Sequence, residues 1–231
     1  MISRRICRVK TMQTLYAFSQ NEQADIQEYE KKLLQSIEKF YELFIWQLSF
    51  IIAVVDFERK RLEEAKNKFL PTEEDLNPNT KFIDNIIITK IAANKEFLNK
   101  ENKLHISWKD NEDLIRHILS SIKENKHYIK YMSTKNDNDF DTDKTFLRKL
   151  FTDIFAPSQL LMQFYEEKNI YWADDYDNVA LAVIKTIKEI KSEATPDDPL
   201  PLTSKKTNED LKEDIDFAIE LFRKTIIYSK D

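Results

Sequence analysis

The apolar residues of this chain recur at steps of three and four, the period of helices that bury one face. The clearest run is Ile26, Tyr29, Leu33, Ile37, Phe40, Phe44, Leu48, Ile51 and Val55. It predicts one long helix from Asp25 to Leu70, about 68 Å if straight, with room for one bend near its apolar centre. The most apolar stretch, Leu43 to Val55, includes Gln47 and Ser49. It falls short of the ~20 residues that span a bilayer and reads as the middle of a helix buried in protein. The charged run Glu58 to Lys68 reads as a protruding end.

Shorter amphipathic segments follow. Pro71 and Pro78 bracket a loop, after which Asn79 or Thr80 caps a helix to about Asn99. Its Ile86-Ile87-Ile88 run is also compatible with a short strand. Leu114, Ile115, Ile118, Leu119, Ile122, Ile129 and Met132 mark the buried stripe of a helix over Asp110–Met132. Ser133 to Asp143 is a polar loop. Helices are then predicted over Thr145–Phe155, from Ser158 to about Asn169, and over Asp174–Ser192. Ala194 to Thr207, with three prolines, reads as an extended connection before a last helix, Asn208–Ser229. Together the pattern predicts an all-α multi-helix bundle of about seven helices.

Composition narrows the function classes. The chain has 231 residues, 33% charged and 42% hydrophobic, and no glycine at all. It therefore holds no P-loop, no dinucleotide fingerprint and no G-x-S-x-G elbow, and its helix ends must be closed by Asn, Lys or Pro. Cys7 stands alone, which rules out an internal disulfide and fits a reducing cytoplasm. It reads as a packed residue rather than a nucleophile. No apolar segment of signal-peptide type follows the N-terminal charges, so a cytoplasmic protein without a membrane partner is expected. His105, His117 and His127 have no metal-ligand spacing. The aspartates of the 133–143 loop lack the glycine and closing glutamate of a calcium loop. Adjacent carboxylates such as Asp174-Asp175 do not face one another on a helix, so they make poor acid–base pairs. No catalytic site, metal or cofactor is expected, and the many aromatics read chiefly as core. Tyr128 and Tyr131, beside Lys126 and Lys130, are the only second basic-aromatic cluster to consider for nucleic acid.

The sharpest feature is the opening segment, Ser3 to Gln20. It carries Arg4, Arg5, Arg8 and Lys10 and no acid, in a chain whose net charge is −5. Ser3 is positioned as an N-cap. In a helix Arg4, Arg5 and Arg8 share one face, and Val9, Met12 and Tyr16 form an adjoining apolar one. Cations in a first turn oppose the helix dipole by roughly 0.3–1 kcal/mol each when exposed, so they are not there for helix stability. The functional reading is a surface for a polyanion such as RNA. A transit peptide and a merely solvated helix start are the competing readings.

Arg4-Arg5-x-x-Arg8 followed by Gln13-x-Leu15-Tyr16 resembles the opening helix of NusB, the bacterial transcription antitermination factor. The resemblance implies that Arg4, Arg5 and Arg8, with Lys10 in a weaker role, hold boxA-like single-stranded RNA. It places Tyr16 at the edge of a surface for NusE, a ribosomal protein, within a transcription elongation complex. Phe146-x-x-x-Leu150-Phe151 recurs as Phe217-x-x-x-Leu221-Phe222, and the second copy resembles the F-x-x-x-L-F helix of that family. Long homologues of the Bacteroidetes type insert a helical segment after the opening helix. The implied organisation is an arginine-rich helix over 1–23, a helical insertion over 24–193, a proline-rich linker over 194–207 and a NusB-like helix over 208–231. The W-x-x-x-R-I and N-E-x-x-E-x-A patterns of the family's closing helices do not occur. An N-terminal piece of a longer protein, or a member without its second half, is therefore expected. The apolar faces of the first and last helices would then be covered by the middle segment or by a second chain, making a homo-oligomer one expectation. Two alternatives stand beside RNA binding in antitermination: a helical scaffold that binds only protein, and an accessory domain of an RNA methyltransferase.

Overall fold

The fold is built around one helix, α2 (Ile26–Lys66). Asp25 caps it, its carboxylate accepting the Glu28 amide at 2.9 Å. Its 41 residues run without a break, about 61 Å at 1.5 Å per residue. From Leu43 to Ile51 every residue is buried, whichever way it points, so protein surrounds this part of the helix. The polar residues there are bonded: Gln47 Nε2 donates to the Tyr176 carbonyl, and Ser49 bridges Trp108 Nε1 and Glu101. α2 is long and apolar enough to cross a membrane by length and composition, but two-thirds of its most apolar window is buried inside the fold.

The computed structural model describes residues 4–134, 139–201 and 208–228. Among them the chain is all-helical, without strands, and the Ile86–Ile88 run is helical. In order follow α1 (Arg4–Ser19), α2, α3 (Glu73–Leu76), α4 (Ile86–Ala93), α5 (Lys95–Lys103), α6 (Glu112–Glu124) and α7 (Lys126–Ser133). Then come α8 (Phe140–Leu150), continued by a π-helical turn Phe151–Phe155, α9 (Gln159–Lys168), α10 (Tyr176–Glu189) and α11 (Asn208–Tyr228). The expected caps at Ser3 and the chain beyond Tyr228 lie outside the described residues, as do residues 202–207 of the predicted linker and Asp137 of the acidic loop.

Among the described residues eleven α-helices therefore replace the expected seven or so, for local reasons. The 71–78 loop contains α3, stabilised by a capping box between Thr72 and Asp75. The helix predicted from Asn79 starts at Ile86 instead, because Asn85 accepts the amides of Ile87 and Ile88. It ends at Asn94, whose amide bonds the Ile91 carbonyl while its side chain caps α5 at Phe97. Asn125 splits the predicted 110–132 helix in the same manner, taking the His127 amide at 2.7 Å. The split turns Ile129 outward. The predicted charged protrusion needs correction at its first residue only; Lys60, Arg61, Glu63, Glu64, Lys66 and Lys68 are exposed. Glu58 is 4% exposed and held by Arg61 at 2.7 Å and Lys123 at 3.0 Å.

Around α2 pack α1, α10, α11, α6, α5 and α4, and α8 forms an outer layer on α4, α7 and α10. A single hydrophobic cluster runs from Cys7 to Ile226. Trp46 and Trp172 are buried in it and Trp108 is half-buried. Tyr131 stacks on Phe146 at 3.8 Å and donates to Asp143 at 2.6 Å. It belongs to the core and is closed to nucleic-acid bases. The extended segment Ala194–Pro201 crosses the α4–α5 junction as a strap. Lys90 Nζ donates to the Ala194 carbonyl and Asn94 Nδ2 to the Asp198 carbonyl, both at 2.7 Å.

Candidate polyanion-binding face of the first helix

α1 lies beside α11, and the two run in the same sense. Arg4 meets Asp214, Thr11 Oγ1 donates to the Ala218 carbonyl at 3.4 Å, and Phe18 meets Phe222 edge-on at 5.8 Å. No acid occupies the first turn of α1, so its arginines face the positive end of the helix unrelieved from within.

The four expected cations do not share one environment. Lys10 is 3% exposed and its ammonium lies 2.5 Å from Asp175, itself 2% exposed, just before α10. Lys10 is therefore a core residue and is removed from the expected RNA-binding set. Helical spacing puts it with Cys7 and Thr14 on the inward face. Burial pushes the Asp175 carboxyl above its ordinary range, and the Lys10 ammonium pulls it part of the way back. Arg4 stands 3.3 Å from the nearly buried Asp214, with its own side chain more than half exposed. The guanidiniums of Arg4 and Arg8 both lie 5.6 Å from the Phe217 ring centroid, a shared cation–π seat. Arg5 and Arg8 are exposed, and among the described residues no carboxylate comes within ion-pair distance of either.

At steps of three and four the outward stripe of α1 continues from Arg5 and Arg8 to Met12, 65% exposed, and Tyr16, 69% exposed. Tyr16 is thus open to a partner, as its expected role requires. On α11 the exposed residues Glu213, Asp216 and Glu220 recur at helical spacing and form an acidic edge on the neighbouring helix, Glu220 being paired with Lys224 at 2.6 Å. Sequence reasoning missed two groups that shape this face, Asp175 and Asp214. Each comes from far along the chain, and nothing in the local pattern of α1 points to it.

Elsewhere, a cavity of about 730 Å³ lies between the ends of α4 and α10 and the 194–201 strap. Its polar neighbours Lys90, Asn94 and Asp198 are engaged in the strap's own hydrogen bonds. Among the described residues no three His, Cys, Asp or Glu side chains converge as a metal site would need. Of the loop aspartates, Asp139 caps α8 and Asp143 is buried, accepting the Ile86 amide at 2.7 Å.

Fold and site together define an all-helical protein with an arginine-bearing, partly apolar helix face. The chain matches no family model, no curated protein and no solved structure.

Proposed function

We propose that the protein is an RNA-binding factor of transcription antitermination or termination control, of the NusB type suggested by the opening-helix motif. The observation that carries the reading is the solvent-facing stripe Arg5, Arg8, Met12, Tyr16, with two exposed guanidiniums that no carboxylate of the described chain neutralises. Arg4 adds to it by sharing Phe217 with Arg8. The mechanism needs no bond chemistry. Arg5 and Arg8 engage phosphates of single-stranded, boxA-like RNA and release counterions, and Met12 and Tyr16 form the contact for a ribosomal-protein partner of the NusE kind.

A fluorescence titration of boxA-like RNA at two salt concentrations tests this. Arg5→Ala with Arg8→Ala should weaken binding and flatten the slope of log K against log[salt] by about 1.4, two phosphate contacts on a single strand. Unchanged affinity in that variant, with an unaltered circular dichroism spectrum, would overturn the reading.

A second reading, a helical scaffold that docks protein only, is favoured by the acidic edge of Glu213 and Asp216 on α11. That edge repels phosphate and suits a partner of mixed charge. Binding of the ribosomal-protein partner by a chain that ignores RNA would select it.

A further inference from the structure

Helix α1 carries polar side chains inward. Its buried residues are Cys7, Lys10, Thr11 and Thr14, while Met12 and Tyr16 face solvent. Apolar contact comes from Cys7 and from the partly buried Ile6, Leu15 and Phe18. Towards α10 it offers charge and amide: the Lys10–Asp175 pair, and Gln13 Nε2 donating to Asp174 at 3.2 Å. Towards α2 it has the Tyr29 hydroxyl on the Ala17 carbonyl at 3.3 Å and the Phe18–Tyr29 ring contact at 5.3 Å, and towards α11, its most extensive neighbour, the Thr11 hydroxyl on the Ala218 carbonyl and Phe18 against the buried Phe222. A single helix of 16 residues, with cations at its own positive end, does not hold together alone in water.

A buried ion pair is a weak fastening of a particular kind. Its mutual attraction is largely spent on the lost hydration of both ions, and both regain water when the helix lifts. An apolar face of the same size has no such return. Elements with few buried apolar contacts are the ones that open below global unfolding.

We infer that α1 leaves its seat as a unit while the body stays folded, and that the Lys10–Asp175 pair sets how often. The seat bears on the proposed function, and its use as a control rests on that reading: closed, it holds Arg5, Arg8, Met12 and Tyr16 on one helix face; open, that face is lost together with the Arg4–Asp214 contact.

Cys7 reports the motion. It is the sole cysteine, sits on the inward face and is 1% exposed. Its labelling by 4,4′-dithiodipyridine is followed across urea concentrations below the unfolding midpoint. Local opening gives a rate nearly independent of urea and roughly tenfold or more above that expected from global unfolding. Lys10→Met strands the Asp175 carboxylate and should speed labelling about tenfold; Lys10→Met with Asp175→Asn removes both charges and should return the rate to the wild-type value or below. Labelling that tracks global unfolding from the lowest urea overturns the inference. So does one common rate for wild type and both variants. Should Lys10→Met not fold, the wild-type urea dependence and the double variant decide. RNA takes no part in this readout, so its outcome is separate from the fate of the RNA reading.

Discussion

His105 holds φ at 51°, the one left-handed backbone among the described residues. It follows α5 in a motif where the His105 amide bonds the Asn102 carbonyl at 3.1 Å and the Ile106 amide reaches back to Glu101 at 3.2 Å. Glycine usually takes this place. A chain without glycine puts a histidine there, at a steric cost of about 1–2 kcal/mol. His105→Gly should therefore raise stability by about 0.5–1 kcal/mol in urea unfolding, part of the gain being offset by the looser unfolded chain. Residues of this kind were not legible, because nothing local marks a histidine for left-handed backbone. Lys10 and Glu58 were legible in principle. Lys10 continues the inward spacing of Cys7 and Thr14, and Glu58 that of Ile51 and Val54. Their charge argued for the surface, and ion partners distant in sequence overrode it.

At the scale of elements, asparagine does what glycine does elsewhere. Asn94 and Asn125 each close one helix with the backbone amide and open the next with the side chain, and Asn169 does the same between α9 and a 3-10 turn, Ile170–Trp172, all in extended backbone. No left-handed residue is needed when the chain turns straight into a new helix. Helix existence was read well from the apolar period, most clearly for α2, α9 and α10. Helix number was not, because an asparagine inside a periodic pattern looks like any exposed polar position until its cap is seen. Asn94 is the most heavily used, since it also holds the strap through Asp198. Asn94→Ala should cost about 1–2 kcal/mol, as loss of a cap does, and limited proteolysis should then cut first within residues 194–200.

For the whole molecule, the buried carboxylates set the response to acid, and they pull in opposite directions. Burial works to raise Glu58, but hydrogen bonds from Arg61 and Lys123 prevail and hold it below its ordinary range. A lowered folded pKa gives stability that is present above the unfolded value and lost as pH falls through the folded one. Glu58→Gln should thus cost about 1–3 kcal/mol at pH 7, with the gap to wild type closing as urea midpoints are compared below pH 4. Asp143 and Asp175 are raised, first by burial, so each disfavours the fold at neutral pH and the penalty fades as pH drops. The all-helical class was legible from periodicity and composition; the pairing of the first helix with the last was not, since no pattern within either names the other.

The central rod has a cost that arises before the molecule is finished. Trp46 and Gln47 find their partners at Tyr165 and Tyr176, 119 and 129 residues later. At the ~5–20 residues per second of synthesis, the middle of α2 leaves the ribosome roughly 6–26 s before those partners exist. For that interval the part of the Leu43 to Ile51 stretch that Tyr165 and Tyr176 cover stays open, although α4, α5 and α6 emerge sooner. The order of translation thus sets how long that face waits for its cover.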